Sequence, residues 1–380
     1  MMRRHWLILG VTLVLVAALL FPACAQPAPP PAPTPAPAPA PAPAPPKPAP
    51  APVPTPTPPK PMKLVTLKFA YTMPEKITVS QGWHWWAEEV EKRTNYQVSF
   101  DFYPGGTLFK LGATVDSVIA GVADITMTSI GGFAKRFPLT NVGSLPTASF
   151  PDTVEGGLAG NRALMTLYEK FPEVRAEWKD FKLIGFYQLV NYIIHSNEEI
   201  RVPDDLKGMT IGGTGLKVDL AEACGAVPLT IPPPDVYMSL DRGVIDSAFV
   251  AWSHAGIYHT YEVAEYFLDY GFGATALPVL MNLDSWNALP ADVQKVMMEL
   301  IPESQEISRK AMMKAVDRGR KLVSEAGRTT VTLTPDEVKL WQEAGKPLDD
   351  EWLATMKAAG AKNPEQVLAE WKRLATEARK

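Results

Sequence analysis

The side chains that could do chemistry are few, and their spacing does not suit catalysis. Of the five histidines, His5 lies at the extreme N-terminus and His84 sits among Trp83, Trp85 and Trp86 in a helical pattern. His254 and His259 are five residues apart, which does not put them on the single helical face that i,i+4 spacing gives. There is no H-E-x-x-H zinc motif and no G-x-S-x-G nucleophile elbow. The glycine-rich run Gly208-Met-Thr-Ile-Gly-Gly-Thr-Gly-Leu-Lys217 lacks the Gly-Lys-Ser/Thr ending of a phosphate loop, because Leu216 intervenes and Val218 follows. Cys24 and Cys224 are the only cysteines, so no cysteine cluster can hold a metal. Carboxylates are plentiful, yet no motif pairs two of them. The pattern argues against an enzyme, and neither a cofactor nor a metal is expected.

The elements that would position these groups alternate strand and helix. Leu64–Tyr71 is apolar at every second residue, as a half-buried strand is. Trp83, Trp86 and Val90 follow at helical spacing, then Tyr96–Tyr103 reads as a second strand stopped by Pro104-Gly-Gly. A helix over Lys110–Ala120 ends at Gly121, and Ala123–Thr128 is a third strand. This β-α-β-α-β opening predicts a parallel sheet flanked by helices. Further strands are expected near Lys182–Tyr187, Tyr192–Ser196, Met209–Ile211, Val227–Ile231 and Val244–Phe249. Pro290 begins a long helical pattern that runs to about Ala326, with a kink expected at Pro302. Thr334-Pro-Asp-Glu337 has the form of a capping box, and Asn363-Pro-Glu-Gln366 repeats the device.

The N-terminus has the layout of an export signal: Arg3 and Arg4, an apolar run over Leu7–Leu20, then Ala23 before Cys24. A cysteine there resembles the lipobox of bacterial lipoproteins, in which it is acylated. Residues 1–23 are therefore read as a lipoprotein signal peptide, with Cys24 as the lipidation site; Phe21 and Pro22 depart from the usual pattern. Residues 24–63 hold twenty of the 38 prolines, which excludes helix and sheet and predicts an extended tether. The globular part then works outside the cytoplasm, in the periplasm or on the outer face of the cell membrane. The net charge of −4 argues against a nucleic-acid partner.

Six phrases in order carry a specific resemblance. They are Tyr103-Pro-Gly-Gly-Thr-Leu108, Val118-Ile-Ala-Gly-Val-Ala-Asp124 and Val202-Pro-Asp-Asp-Leu-Lys-Gly-Met-Thr-Ile211. Cys224-Gly-Ala-Val-Pro228, Asp235-Val-Tyr-Met-Ser-Leu-Asp-Arg-Gly-Val-Ile-Asp246 and Asn282-Leu-Asp-Ser-Trp-Asn-Ala-Leu-Pro290 follow. Together they resemble the solute-binding proteins of tripartite ATP-independent periplasmic (TRAP) transporters, dicarboxylate-binding type, over about residues 64–330. The glycines and aspartates of these phrases read as turn residues, and Asp235 as a helix cap. The resemblance implies an α/β fold of two periplasmic-binding-protein-like lobes, a ligand cleft between them and a long C-terminal helix spanning both. Lobe 1 is assigned to 64–189 with 275–315, and lobe 2 to 190–274 with 316–380.

Departures from the family pattern shape the expected site. Two arginines and an asparagine that hold a ligand carboxylate in family members align with Gly212, Tyr192 and Val250. The ligand-binding set is then Tyr71, Thr72, Met127, Ser129, Tyr192, Gly212, Gly213, Thr214, Val250 and Trp252, more apolar than a C4-dicarboxylate site. Backbone N–H groups after Gly213 offer an anion site at a helix start, with Thr214 as its expected cap; Lys217 and Arg136 are the alternative cations. The chain is thus expected to capture a small organic acid and deliver it to the small and large membrane subunits of a TRAP permease. The rivals are a binding protein of an ATP-driven importer or sensor, and a secreted enzyme on a two-lobe scaffold.

Overall fold

A computed structural model describes residues 64–380, so the signal peptide, Cys24 and the tether lie outside the described residues. Two sheets form the chain's frame. The first contains β1 (Val65–Tyr71), β2 (Val98–Tyr103), β3 (Ile125–Met127), β4 (Phe181–Gln188) and β10 (Ala276–Asn282), in the order β2-β1-β3-β10-β4. The second contains β5 (Tyr192–Ser196), β6 (Thr210–Gly213), β7 (Val227–Thr230), β8 (Ser247–Ala251), β9 (Tyr266–Leu268) and β11 (Thr329–Val331), in the order β11-β9-β5-β8-β6-β7. The strands joined by helical crossovers pair in parallel, as the β-α-β pattern predicts. The two strands that enter from the other lobe, β10 and β5, run antiparallel to their neighbours.

Four segments cross between the lobes. Residues 189–191 lead from β4 to β5, and residues 269–275 lead back from β9 to β10. The two strips pair with each other: Leu189 N–H donates to Thr275 O, Tyr192 N–H to Gly273 O and Phe272 N–H to Tyr192 O. The third crossing is the Ile301–Glu325 helix. It lies so close to its neighbours that a Cβ on Gly82 would meet Ser304 O at 2.0 Å, and one on Gly319 would meet Trp252 O at 2.0 Å. Only glycine permits this approach to the first lobe's Ser80–Arg93 helix and the second lobe's Trp252–Ile257 helix.

The fourth crossing corrects an expectation. The Pro335–Ala358 helix starts on lobe 2, where Trp341 and Leu348 pack with Ile211, Phe249 and Leu268. Beyond Pro347 it passes to lobe 1, where Trp352 and Met356 join Phe137, Leu164 and Phe186. The Pro364–Glu377 helix stays there through Val367 and Trp371. Residues 316–380 therefore do not all belong to lobe 2; the boundary falls inside this helix, at its internal proline.

Local signals explain the ends of the elements. Thr334 accepts from Glu337 N–H, and Glu337 accepts from Thr334 N–H, completing the capping box. Asn363 does not repeat it: it takes φ +54° and its side chain donates to Glu173. Asp235 caps nothing with its side chain. The long helical pattern from Pro290 breaks at Leu300 into Ala291–Glu299 and Ile301–Glu325, with Pro302 in the first turn of the second helix. Asp124 and Asp246 serve as turn residues: each accepts a strand N–H, from Lys68 and Thr210 respectively.

Candidate ligand-binding cleft

The ends of β3, β6 and β7 and the crossing strips surround a cavity of about 540 Å³. That volume lies in the range of small-molecule sites. Lobe 1 contributes Ser129, Asn141, Ser144 and Thr275; lobe 2 contributes Tyr192, Thr214 and Lys217. Gly215 takes φ +63°, a left-handed conformation that suits glycine, and turns the chain from β6 into the Leu216–Ala223 helix. Lys217, the second residue of that helix, lies on the cavity wall.

Lys217 is the electrostatic centre of the site. It is only 4% exposed and no charged or hydrogen-bonded partner acts on it among the described residues, although the Asp219 carboxylate lines the same cavity. Its ammonium lies 5.3 Å from the centre of the Tyr192 ring, whose π-face attracts it. Burial pulls its pKa down to about 8. A buried ammonium without a counter-charge is costly and calls for an anion.

Polar groups on the facing lobe are also unpaired. Asn141 Oδ1 and Ser144 Oγ are buried without a hydrogen-bond partner. They sit on the short Thr140–Ser144 helix. Its start is fixed by Glu177, which accepts from Leu139 N–H, Thr140 N–H and Thr140 Oγ1. Ser129 and Thr275 hydroxyls meet at 3.2 Å. Buried polar atoms in a cavity wall that no protein group satisfies are free to meet a ligand or water.

A second cavity, of about 440 Å³, shares Tyr192 as a wall. It is lined by Ile77, Val190, His254, Tyr258 and Met312, with Pro74 and Lys76 exposed at the rim. Ala251 N–H donates to His254 Nδ1 at 3.1 Å, and burial pushes the imidazole pKa down to about 4.

The predicted site residues divide. Ser129, Tyr192 and Thr214 line the first cavity. Thr214 makes no cap; the N-cap is Gly215, without a side-chain bond. Gly212 and Gly213 lie behind the wall, where added Cβ atoms would meet Ile245 at 2.8 Å and Phe249 at 3.5 Å. Thr72 is half-buried and lines neither cavity. Tyr71, Met127, Val250 and Trp252 are core. Tyr71 packs against Phe69 and Trp83 and bonds His84 Nε2. Trp252 stacks on Phe267, donates to Asp269 and lies beneath Arg320. Arg136 pairs with Asp180 at the surface, away from either cavity. Asn141, Ser144 and His254 escaped sequence reasoning, because nothing in a periodic pattern marks a side chain left without a partner.

Comparison with known proteins accords with this architecture. The sequence model of the DctP family, bacterial extracellular solute-binding protein family 7, matches residues 69–355. The C4-dicarboxylate-binding periplasmic protein DctP of Rhodobacter capsulatus is 25% identical over 308 residues, 78% of this chain and 91% of the relative. A TRAP periplasmic solute-binding protein from Desulfovibrio salexigens, an open complex with the C-terminus of a symmetry mate in its ligand-binding site, is 28% identical. Its TM-score is 0.75, over 83% of this chain and 96% of that one. A marine-metagenome TRAP solute-binding protein specific for aromatic acid ligands, in complex with metahydroxyphenylacetate, is 25% identical, with TM-score 0.72 over 83% and 100% of the two chains. With the family matched over most of the chain and two α/β lobes enclosing a cleft, this protein belongs to the DctP family of bacterial extracellular solute-binding proteins, the solute receptors of TRAP transporters.

Proposed function

We propose that this protein is a lipid-anchored extracytoplasmic receptor for an organic monocarboxylate with an apolar body, which it delivers to the membrane subunits of a TRAP permease. The buried, unpartnered Lys217 carries the reading. A single ammonium neutralises one carboxylate; the second carboxylate of a C4-diacid would be buried without a cation of its own. The apolar walls of the cavity that shares Tyr192 suit a ring or a branched body better than a second charge. A relative of similar fold, specific for aromatic acid ligands, supports this choice. Binding would draw the lobes together about the crossing segments, as hinged binding proteins close. The ligand favours closure only through contacts that the open state lacks, here the Asn141 and Ser144 groups of one lobe and Lys217 of the other.

Mass spectrometry of small molecules released on denaturation should find a monocarboxylic acid. Calorimetry should rank aromatic or branched monocarboxylates above succinate; tight succinate binding that survives Lys217→Met would sink the reading. The anchor is tested separately. Cys24→Ser removes the sulfur that a lipid thioether needs, and should move the protein from the membrane to the soluble fraction.

A further inference from the structure

The second cavity holds a donor whose direction is fixed and which no side chain or carbonyl accepts from among the described residues. Ala251 N–H donates to His254 Nδ1. An imidazole nitrogen that accepts a hydrogen bond carries no proton, so the neutral ring has its proton on Nε2. Nε2 points away from the backbone turn that holds Nδ1, and no acceptor meets it among the described residues. The side chain borders the cavity, and its low pKa keeps the ring neutral at physiological pH. Tyr258 lies beside it, with ring centres 5.2 Å apart, and its hydroxyl has no partner among the described residues. Ile77, Val190 and Met312 supply apolar walls.

We infer that this His254–Tyr258 chamber is a second subsite of the cleft, and that it selects acids bearing an uncharged hydroxyl on a ring, remote from the carboxylate. The inference rests on the reading of Lys217 as the carboxylate's partner. Tyr192 is a wall of both cavities: the Lys217 ammonium lies 5.3 Å from its ring centre and the His254 ring 6.2 Å from it. A phenolic hydroxyl matches the far chamber, accepting from His254 Nε2–H and donating to Tyr258 Oη. A second carboxylate does not match it. His254 is neutral there, and the chamber's one cation, Lys76, is exposed at the rim, where water screens it.

The test is calorimetry on the full chain with matched pairs: benzoate, phenylacetate and phenylpropanoate, each beside its ring-hydroxylated forms. In the native protein at least one hydroxylated acid should bind about tenfold or more tightly than its parent, the scale of one well-made hydrogen bond. His254→Asn keeps an oxygen that can accept from Ala251 N–H but removes the Nε2–H donor. In that variant the affinity ratio should fall toward one. The ratio is measured within one variant, so a general loss of stability does not imitate the effect. Tyr258→Phe should lower it partway. Equal affinity for both members of every pair in the native protein, or a ratio that survives His254→Asn, overturns the inference. Lys217→Met should weaken both members alike and keep the ratio. If it instead leaves both affinities unchanged while His254→Asn still abolishes the ratio, the carboxylate reading fails and the hydroxyl subsite stands.

Discussion

Arg309 and Asp152 meet at 3.1 Å beside the strip that crosses from β4 to β5, with the arginine side chain 2% exposed. The pair is the centre of a larger clamp. Arg309, on the long Ile301–Glu325 helix, also donates to the carbonyls of Pro151, Thr153 and Leu189. Asp152 accepts from the Asn191 N–H. One side chain thus ties the helix to residues 151–153 and to the strip that crosses from β4 to β5. Arg309→Met would leave a buried carboxylate uncompensated and strip those carbonyls of their donor. The expected cost is about 3–5 kcal/mol of unfolding free energy, read by urea denaturation. Arg309→Met with Asp152→Asn should cost less than the two single changes together, because the buried charge goes with its partner. Gly157→Ala should act in the same direction, since its new Cβ would lie 2.1 Å from Arg309 Nε.

Lys217→Met should separate affinity from stability. Removing the ammonium takes away the carboxylate's charged partner and should weaken acid binding by about 1.5–3 kcal/mol. The empty protein should become more stable, because an unpaired buried charge is replaced by an apolar chain of similar length. Thermal melts with and without ligand would show both effects: a higher melting temperature alone, and a smaller rise on adding acid. A variant that is less stable when empty would mean that Lys217 has a structural partner.

The same lysine sets a pH dependence of known sign. Burial lowers its pKa in the folded empty protein from 10.5 to about 8. A ligand carboxylate needs the ammonium form, so affinity should hold below pH 8 and fall as pH rises beyond it. The empty protein behaves oppositely. Between pH 8 and 10.5 the unfolded chain binds the proton and the folded one does not, so this group's contribution to stability rises with pH over that window. Calorimetry from pH 6 to 10 on the native protein and Lys217→Met would isolate the effect; equal slopes for the two would exclude Lys217 as its source.

Much of the fold is legible in the order of residues, because strands and helices announce their periods and turns their glycines. The opening β-α-β-α-β run and the Thr334 capping box follow from local rules, whereas the kink expected at Pro302 is a break at Leu300 that leaves the proline in the first turn of a new helix. The cleft is less legible. Period two says that Met127 and Val250 alternate with their neighbours but not which face meets the ligand, and both faces of these central strands are buried. Lys217 looks like any lysine in a helix's first turn. Its importance comes from the turn at Gly215 and from the arrival of Tyr192 from another strand, relationships that no local window contains. Pro347 is visible in the sequence as a helix defect. Only the packing of Leu348 on one lobe and Trp352 on the other makes it a lobe boundary.

Trp252 gives the sharpest contrast between a residue that resembles a ligand contact and one that is structural. An aromatic at the end of β8 would sit over the cleft if it faced inward. Instead its ring stacks on Phe267 at 5.6 Å, its Nε1 donates to Asp269 Oδ1 at 2.8 Å, and the Arg320 guanidinium lies over the ring at 5.0 Å. The ring is 1% exposed and lines neither cavity. Trp252→Ala should therefore cost about 3–5 kcal/mol of stability through the void it leaves, and Asp269 would lose one of its two donors. The folded fraction should bind acid within about twofold of the native affinity, since no wall of the cleft has changed. Calorimetry at a temperature well below the variant's melting point measures this directly. A drop in affinity of tenfold or more, with the fold intact by circular dichroism, would place Trp252 back in the site.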